Sequence, residues 1–420
     1  MIGLIDCNNF FASCECVFNP ALLHKPFVVL SNNDGCVVSM SKEAKQIGVK
    51  RGVAIANIQD LIEKHDILIY SSNYKLYGDM SSRVMSVLSS LVPKIEIYSI
   101  DEAFIDLEHI SSHEVENLGR EIVRQIRRST GIPTSLGIAP TKTLAKIAVK
   151  YAKNDIKYRG VYCMDSKQKY EDALKQTIIK DVWGIGRKLG DKLMRIGILD
   201  AFTFVQNPPK SYSTILNSNG IGIWKELKGM QYFEFESNNT TKKQICSSRS
   251  FAEPLENLDE LQSAISCFSE NVCIKLQRQR SCAISIEVFL YPTCLIDVSK
   301  YSIKDKLEEP TNDMLTINQI AIKLISTLYK VGIGYKKAGI IISDLIDESS
   351  VQNNLFYPHD IRKKHKDLSQ VLIELNNKNT LKEKVCFASK MVQRELSRNN
   401  HQSPQYTTKF DEIITIKCVD

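Results

Sequence analysis

The sequence lacks the features that mark membrane-spanning, exported and zinc-binding proteins. Among its 420 residues, no apolar run approaches the roughly 18 residues that a membrane-spanning helix needs. The N-terminus enters a strand-like pattern with no basic segment before it, so we expect no signal peptide. The 12 cysteines include no Cys-x-x-Cys pair, and the 7 histidines show no metal-binding spacing. We therefore expect reduced cysteines, no disulfide framework and no zinc site.

A strong excess of one charge is also missing. The chain has 55 Lys and Arg against 48 Asp and Glu, so its net charge is only +7. Binding to nucleic acid would therefore depend on local basic clusters, such as Lys50-Arg51, Lys242-Lys243 and residues 362–366. Each cluster taken alone is more typical of a solvated surface.

Residues 1–165 show an alternation of strands and helices. Strands are expected at Ile2–Asp6, Phe27–Leu30, Ile67–Tyr70, Ile95–Ser99, Ala103–Leu107 and Thr134–Ile138. Helices are expected at Ser41–Ile47, Tyr74–Leu91, Glu114–Ser129 and Thr141–Ala152. This order suits a split βαβ sheet, in which residues 24–76 are an insertion after the first helix.

The rest of the chain changes character along its length. Residues 166–235 are helical and punctuated by glycines, and residues 236–244 form a polar linker. Over residues 245–346 the hydrophobic periodicity predicts a βαββαβ unit, which includes a strand near Val298–Ile303. Residues 347–420 are rich in Asn, Lys and Gln and resemble a tail with little core of its own. The sequence therefore predicts an α+β, multidomain protein of about three domains.

Two short acidic runs carry most of the functional information. Asp6 ends the first apolar strand, and Asp101 and Glu102 lie between two later strands. A carboxylate at the end of an apolar strand costs stability unless something pairs with it. The split βαβ order places both runs on neighbouring central strands. Three converging carboxylates suit a pair of divalent metal ions, which is a common arrangement for in-line phosphoryl transfer.

The acid pair raises a geometric difficulty. Adjacent residues of a regular strand face opposite sides of the sheet, so Asp101 and Glu102 can both bind metal only at a strand end or a turn. Ser99 before the pair, and the renewed apolar alternation from Ala103, favour a turn at that point. The alternative is that both runs are solvent-exposed acids at loop ends.

The residues around these acids resemble the two catalytic motifs of the Y-family, translesion DNA polymerases. The two motifs are Asp6-Cys7-Asn8-Asn9-Phe10-Phe11-Ala12-Ser13-Cys14-Glu15 and Ser99-Ile100-Asp101-Glu102-Ala103-Phe104. Further runs resemble the UmuC type, the catalytic subunit of bacterial DNA polymerase V, and they follow in order over nearly the whole chain. These runs are Val29–Val37, Ser71–Tyr74, Gly137–Lys146, Val182–Gly186, Cys246–Phe251 and Tyr406–Thr408.

The resemblance implies a right-hand polymerase with a ferredoxin-like palm, small fingers, a helical thumb and a βαββαβ little-finger domain. The implied boundaries are 1–23 and 77–165 for the palm, 24–76 for the fingers insertion, 166–235 for the thumb with a helix-hairpin-helix, 236–244 for the linker, 245–346 for the little finger, and 347–420 for a tail with a clamp-binding peptide. The implied function is error-prone, template-directed DNA synthesis past lesions in the SOS response. Nucleotidyl transfer would run from a dNTP to a primer 3′-hydroxyl with two Mg²⁺.

The resemblance also implies the metal site. Asp6, Asp101 and Glu102 are the catalytic acids, and they would hold two Mg²⁺ together with the main-chain carbonyl of Cys7. One ion would lower the pKa of the attacking hydroxyl and the other would neutralise the leaving group.

Further residues are expected to contact the nucleotide. The ring of Phe11 is implied to be a steric gate that clashes with a ribose 2′-hydroxyl, whereas Phe10 is expected in the core. Lys42, Lys45 and Lys153 would contact the triphosphate and offset charge on the leaving pyrophosphate. Other family members often carry Tyr and Arg in place of the first two lysines.

The DNA and partner contacts rest on the same resemblance. Backbone amides at a helix-hairpin-helix, together with basic side chains, would bind DNA phosphates, and the implied residues are Gly184, Gly186, Arg187, Lys188 and Arg249. Gln352, Leu355 and Phe356 resemble a clamp-binding peptide, although Asn353 replaces a more usual Leu. Primer-template DNA, dNTPs, a processed UmuD-type dimer, a sliding clamp and a RecA-type recombinase filament are the implied partners. The implied location is the bacterial cytoplasm, on the nucleoid when active, with no membrane partner.

Two other functions remain open from the residues alone. A nucleotidyl cyclase could use the same carboxylate-bearing sheet, but it would not need a helix hairpin, a second DNA-gripping domain or a clamp peptide. A non-catalytic DNA-binding protein would account for the basic clusters but not for the acid pair.

Overall fold

In the computed structural model the chain forms two units, and each is described by itself. The first comprises residues 1–239 and 400–420, and the second comprises residues 240–399. The structure describes residues 1–111, 114–236, 241–293, 301–352, 367–369, 371–372, 374–376, 385–390 and 399–415. The boundaries expected for smaller domains within these units stay predictions.

The first unit alternates strands and helices, as the sequence predicts. Its strands are β1 (Ile2–Cys7), β2 (Phe27–Leu30), β3 (Val37–Met40), β4 (Leu68–Ser71), β5 (Ile95–Ile97), β6 (Glu102–Asp106), β7 (Thr134–Ala139) and β8 (Val161–Cys163). Its helices are α1 (Phe10–Phe18), α2 (Lys42–Ile47), α3 (Gln59–His65), α4 (Tyr74–Leu91), α5 (Val115–Thr130), α6 (Lys142–Asn154), α7 (Lys167–Gln176), α8 (Arg187–Arg195), α9 (Ala201–Gln206) and α10 (Ser218–Leu227).

A five-stranded sheet in the order β5-β6-β1-β7-β8 lies at the centre of the first unit. Strand β1 runs antiparallel to both β6 and β7, and β5 is antiparallel to β6, whereas β7 and β8 are parallel. The order confirms the split βαβ arrangement. The register sets Ile5 opposite Ala103 and Asp6 opposite Glu102, so the two acidic runs lie on neighbouring strands as expected.

The sheet separates two hydrophobic cores. Ile5 and Ile105 pack on one face with α1, α4 and α5, and Leu4 and Phe104 pack on the other face with α6. All six residues of β1 are buried, which explains why its sequence is apolar up to Asp6. Asp6 lies two residues after Leu4, so its carboxylate faces α6.

Helix α6 approaches the sheet closely because of one glycine. A Cβ on Gly137 would lie 2.2 Å from the backbone nitrogen of Val149 and 2.6 Å from the carbonyl oxygen of Ala145. Only glycine therefore allows the helix backbone to pack this close to β7. Thr141 caps the helix, since its side chain accepts from the Leu144 backbone N–H. These two contacts fix α6 over the sheet face that carries Asp6.

The insertion between α1 and α4 has its own small sheet, in the order β3-β2-β4. Strands β2 and β4 are parallel, and β2 and β3 are antiparallel. Val28, Leu30 and Ile62 belong to a small core beneath this sheet. Ser41 begins α2, because its side-chain oxygen accepts from the Ala44 backbone N–H.

Residues 166–235 are helical, as expected, and a buried glutamate ties them to α6. Glu226 is fully buried and accepts hydrogen bonds from the backbone N–H groups of Thr143 at 3.0 Å and Tyr232 at 2.7 Å. A buried carboxylate is tolerated when several donors satisfy it. This contact joins the start of α6 to the end of α10.

The second unit confirms the βαββαβ pattern. Its elements are β9 (Gln244–Leu255), α11 (Leu258–Gln279), β10 (Ser281–Pro292), β11 (Ser302–Thr311), α12 (Met314–Leu328) and β12 (Tyr335–Asp347). The antiparallel sheet has the order β11-β10-β12-β9, and both helices pack on it around one core. The strand expected near Val298–Ile303 begins only at Ser302, and residues 298–300 lie outside the described residues.

The C-terminal segment is packed more tightly than its composition suggests. Residues 400–420 belong to the first unit, Ser403 is only 8% exposed, and Tyr406 packs against the core beneath α1 and α4. The packed residues Ser403 and Tyr406 therefore differ from the tail with little core that the sequence predicts, whereas Phe410, Ile413 and Ile414 are exposed. Among the residues described, none of the helices has the length and apolarity needed to span a membrane.

Candidate active site

A cleft of about 760 Å³ opens at the end of β1 where the acidic runs meet. It is lined by side chains from the central sheet, from α1, from the insertion and from α6. These lining residues include Asp6, Cys7, Phe11, Val38, Ser39, Met40, Lys45, Lys50, Arg51, Asp101, Glu102 and Lys153. The cleft thus brings together seven of the eight residues expected to hold metal, gate the sugar or contact the triphosphate, and only Lys42 of that set is missing from the lining.

The three acids converge because β6 begins at the second of the pair. Glu102 is the first residue of β6, and Asp101 lies in the turn before it. The Ser99 hydroxyl donates to the Asp101 carboxylate at 2.6 Å and accepts from the Asp101 backbone N–H at 3.2 Å. The Cys7 backbone N–H donates to the Asp101 carbonyl at 2.8 Å, which holds this turn against the end of β1. The turn removes the difficulty posed by strand alternation.

A row of lysines along α6 neutralises carboxylates on the facing sheet. Lys142 pairs with Glu96 at 2.6 Å, Lys146 with Glu102 at 2.8 Å, and Lys153 with Asp6 at 2.5 Å. The spacing of four and seven residues keeps the three ammonium groups on one helical face. Lys146 bonds both oxygens of Glu102 and also lies 4.3 Å from the centre of the Tyr98 ring. Lys146 is a site residue that the sequence reasoning missed, although its motif was recognised.

Burial raises the pKa of Asp6 from 3.8 to about 6. The ion pair and hydrogen bond with Lys153 oppose this rise, while the charges of Glu102 and Asp101 add to it. The raised pKa of Asp6 therefore reflects mainly its burial, with a smaller contribution from the two neighbouring acids. Burial also raises the pKa of the Cys7 thiol far above its ordinary value, so the thiol stays protonated and is a poor metal ligand.

The acids suit a hard divalent cation in their chemistry. Magnesium prefers carboxylate oxygens, and Asp6, Asp101 and Glu102 all present such oxygens to the cleft. Over the described ranges, no three His, Cys, Asp or Glu side chains are grouped closely enough to hold a metal ion as they stand. Lys146 and Lys153 take up the Glu102 and Asp6 carboxylates instead. The oxygen donors are therefore of the chemical kind that Mg²⁺ prefers, while in this structure ammonium groups occupy two of the three acids.

Phe11 and Phe10 have different environments, as expected. Both residues line the cleft, but Phe10 is only 3% exposed and belongs to the core, whereas Phe11 is only partly buried. The Phe11 ring stacks on Tyr77 with centroids 4.5 Å apart and meets the edge of Tyr74 at 5.8 Å. The position of Phe11 at the cleft wall thus depends on the aromatic side chains behind it.

The basic side chains of the insertion divide into two groups. Lys45 lines the cleft, whereas Lys42 is exposed and does not appear in the lining. Lys50 and Arg51 also line the cleft, although the sequence showed them only as a surface cluster. They follow the left-handed Gly48 that ends α2, and this turn directs the chain back toward the cleft.

The other expected site residues that the structure describes are not among those that line the cleft. Gly184 has a φ of 84° and Gly186 precedes α8 as its N-cap, so both lie in the turn that the sequence assigned to a hairpin. Arg187 and Lys188 are exposed in the first turn of α8. Arg249 is an exposed residue of β9 in the second unit. For the expected clamp peptide, Gln352 is exposed, and Leu355 and Phe356 lie outside the described residues.

Comparison with known proteins finds matches over most of the chain. Residues 5–150 match the impB/mucB/samB family, and residues 242–355 match the impB/mucB/samB family C-terminal domain. Protein UmuC of Salmonella typhimurium is 34% identical over 427 residues, which cover 99% of this chain and 100% of that protein. Protein ImpB of Salmonella typhimurium is 35% identical over 431 residues, with 98% of this chain and 99% of that protein covered.

The fold has solved counterparts. A Y-family DNA polymerase chimera of Dbh and Dpo4 superposes with a TM-score of 0.67 at 22% sequence identity, covering 83% of this chain and 100% of the chimera. At this identity the likeness establishes the fold alone. The fold is that of the right-hand Y-family polymerases.

Proposed function

This chain belongs to the impB/mucB/samB family of Y-family polymerases, and from that premise we propose that it is an error-prone, template-directed DNA polymerase that copies past lesions. The observation that carries the proposal is the meeting of Asp6, Asp101 and Glu102 in one cleft beside Phe11. The substrates are a primer-template DNA and a dNTP. The reaction is attack of the primer 3′-hydroxyl on the α-phosphate with release of pyrophosphate.

The acids of the cleft are proposed to hold the metal ions of this reaction. Asp6, Asp101 and Glu102, with the Cys7 carbonyl, are the proposed metal ligands. Dependence on divalent metal goes with membership of the family, whereas the choice of Mg²⁺ and the number of two ions are our proposals. Bound there, the ions would supply a lowered pKa for the attacking hydroxyl and positive charge for the leaving group.

The basic side chains around the cleft are the proposed triphosphate contacts. Lys45, Lys50, Arg51 and Lys153 all reach its wall, so each can bring positive charge to phosphate oxygens. Lys42 is retained only as a weaker candidate because it lies outside the lining. Lys153 pairs with Asp6 in this structure, and we propose that it changes partner when the nucleotide binds.

Phe11 is the proposed steric gate against ribonucleotides. Its ring lies at the cleft wall, backed by Tyr77 and Tyr74, so a ribose 2′-hydroxyl placed against it would clash. On the insertion side the cleft is lined by small or flexible residues, including Val38, Ser39 and Met40. A small insertion of this kind would enclose the nascent base pair loosely, which suits damaged templates and lowers fidelity.

The remaining contacts and partners are proposals that rest on the relationship to UmuC. Gly184, Gly186, Arg187, Lys188 and Arg249 are the proposed DNA contacts outside the cleft. A processed UmuD-type dimer, a sliding clamp that binds Gln352, Leu355 and Phe356, and a recombinase filament are the proposed protein partners. We place the activity in the bacterial cytoplasm, on the nucleoid, during the SOS response.

Primer extension with Asp101→Ala tests the proposed activity. We expect extension to fall to about 1% of wild type or lower, because a group that stabilises the transition state is lost. DNA binding should persist, since affinity for DNA comes mainly from Lys and Arg contacts with phosphates. The matched control is Asp106→Ala, at the opposite end of β6 from Asp101, where the carboxylate pairs with Lys94 at 3.3 Å.

The outcomes separate this function from its rivals. Full extension by the Asp101→Ala protein would reject the proposed mechanism. A cyclic nucleotide formed without primer would favour the nucleotidyl cyclase. DNA binding by the wild type without extension, in the presence of its accessory proteins, would favour a non-catalytic DNA-binding protein.

A further inference from the structure

A short C-terminal segment, residues 400–406, packs between the insertion and the helices behind the cleft, and we call it the strap. His401 exchanges two hydrogen bonds with Ser71 at the end of β4, one from its backbone N–H to the Ser71 hydroxyl and one from the Ser71 N–H to its carbonyl, both at 3.0 Å. At its other end, the Tyr406 ring stacks on Phe18 of α1 with centroids 4.9 Å apart. The strap thus bridges elements that are more than 300 positions earlier in the chain.

The strap is fixed at the start of α4 by one asparagine. The side-chain amide of Asn73 donates to the carbonyls of Ser403 at 3.0 Å and Pro404 at 3.2 Å, and to the Ser403 hydroxyl at 3.1 Å. Its oxygen accepts from the Leu76 backbone N–H and so caps α4. Asn73 is fully buried, so these bonds are made away from competing water.

A buried glutamate connects the strap to the aromatic side chains behind the cleft. Glu15 of α1 is 1% exposed and accepts from the Tyr77 hydroxyl at 2.6 Å and from the Ser403 hydroxyl at 3.1 Å. Tyr77 is itself fully buried, and its ring stacks on Phe11 at 4.5 Å with an interplanar angle of 13°. A continuous series of contacts therefore runs from Ser403 through Glu15 and Tyr77 to Phe11.

This hydrogen-bonded network costs more free energy than apolar packing would, but it fixes the orientation of the Tyr77 side chain. A buried carboxylate costs free energy that apolar side chains of the same volume would not, so packing alone does not account for Glu15. The hydroxyls of Tyr77 and Ser403 donate to the same oxygen of Glu15. This shared acceptor fixes the position of the Tyr77 ring along the direction of its C–OH bond. Phe11 is only partly buried and has this ring as its stacking partner, so its freedom to retreat from the cleft depends on Tyr77.

We propose that the strap is a specificity element of the nucleotide site, in which Ser403, Glu15 and Tyr77 are positioning residues that set how strongly Phe11 rejects ribonucleotides. The inference rests on the proposed polymerase function and on the proposed role of Phe11. A gate held rigidly clashes with a 2′-hydroxyl, whereas a gate whose backing ring can shift admits it. Loss of the strap contact should therefore change the choice of sugar more than the rate with dNTPs.

Single-nucleotide insertion by the full-length chain, with the accessory proteins that the wild type requires, tests this inference. The quantity measured is the ratio of kcat/KM for a dNTP to that for the matching rNTP. We expect Ser403→Ala to lower this ratio about fivefold to tenfold, the effect of losing the hydrogen bond to the buried Glu15 carboxylate. The Asn73 amide loses the same hydroxyl but keeps the carbonyls of Ser403 and Pro404 as acceptors. Insertion of the dNTP should stay within about threefold of wild type, because no group that contacts substrate is removed.

Three further variants make the result specific. Ser403→Thr keeps the hydroxyl and should restore the ratio. Thr408→Ala removes an exposed hydroxyl two residues after the strap, whose partner is Gln405 rather than Glu15, and should leave the ratio unchanged. Tyr77→Phe keeps the ring on Phe11 but loses the hydroxyl, and should lower the ratio at least as much as Ser403→Ala.

The outcomes distinguish this inference from the function on which it rests. If the Ser403→Ala protein discriminates against rNTPs as well as the wild type does, the inference is overturned. Insertion of dNTPs by the same protein would still support the proposed polymerase function. An equal fall for dNTP and rNTP shows a merely structural role and also overturns it. Failure of the wild type to insert dNTPs overturns both. If Tyr77→Phe does not fold, Ser403→Ala decides alone, since it removes one small hydroxyl.

Discussion

Replacing Asp6 with Asn should stabilise the metal-free protein while it abolishes catalysis. Asp6 is 9% exposed, and its carboxylate faces Glu102 and Asp101 as well as its partner Lys153. Burial is the main reason that its pKa rises to about 6, so folding favours the protonated form. Asn has nearly the same shape as that form and carries no charge. The side chain of Lys153 is 31% exposed, so its ammonium group can be hydrated after the change.

The magnitude follows from the two pKa values. A group whose pKa is 3.8 when unfolded and about 6 when folded costs up to about 3 kcal/mol of stability at pH 8 when it must be ionised. The stabilising effect of protonation is fully present below pH 3.8 and is lost as the pH rises through about 6. The gain from Asp6→Asn should therefore be largest at pH 8 and fall to about half by pH 5.

Thermal unfolding in EDTA at pH 8 and pH 5 measures this difference. For a domain of this size, each kcal/mol shifts the unfolding temperature by about 2–4 °C. The matched control is Asp106→Asn, which removes a more exposed carboxylate paired with Lys94 and should change stability by no more than about 0.5 kcal/mol. Saturating Mg²⁺ should stabilise the wild type and not the Asp6→Asn protein. An Asp6→Asn protein that unfolds at or below the wild-type temperature in EDTA at pH 8 would refute this reasoning.

Two further predictions concern the helix that covers the sheet. Gly137→Ala should destabilise the first unit by about 3 kcal/mol or more, because the added Cβ meets backbone atoms of Val149 and Ala145. The control is Gly78→Ala, whose added Cβ would meet nothing within 4 Å beyond its own helix backbone. Urea titration should show no loss of stability in this control. Lys153→Met removes the ammonium group that lowers the pKa of Asp6, so the pH midpoint of Mg²⁺ binding, followed by calorimetry, should move upward from that of the wild type. A midpoint that stays in place would mean that Lys153 does not interact with the acid in solution.

Much of the fold was predictable because it follows local patterns. The strands of the first sheet lie in short apolar runs. Connections between parallel strands are right-handed and chains are not knotted, so the order of strands and helices leaves few possible topologies. The convergence of Asp6 with Glu102 followed from that order alone, and the register confirms it. The turn before Glu102 was also predictable, since both acids could share a site only there.

The lysines of α6 could have been found from the sequence, but their partners could not. Lys142, Lys146 and Lys153 share one helical face, yet this spacing on an exposed helix is ordinary. Only the close approach at Gly137 brings that face onto the acidic end of the sheet. The contacts of the strap could not be predicted from the sequence. Ser403 and Glu15 are 388 positions apart, and no local pattern encodes a contact of that range.

The lysine row also accounts for how the acids of the proposed metal site fold without metal. Asp6, Asp101 and Glu102 carry three negative charges when ionised, and Lys146 and Lys153 bring two positive ones, which leaves one negative charge. A triphosphate of about four negative charges arriving with the two proposed divalent ions would leave the same total. The net charge of the site then changes little on loading, while the carboxylates pass from ammonium groups to metal. Of the two freed ammonium groups, that of Lys153 already lies in the cleft wall, where the phosphates would lie. Lysines in this position keep one buried and two half-buried acids compatible with folding. The proposed exchange of these lysines for metal would couple the binding of nucleotide to the binding of metal.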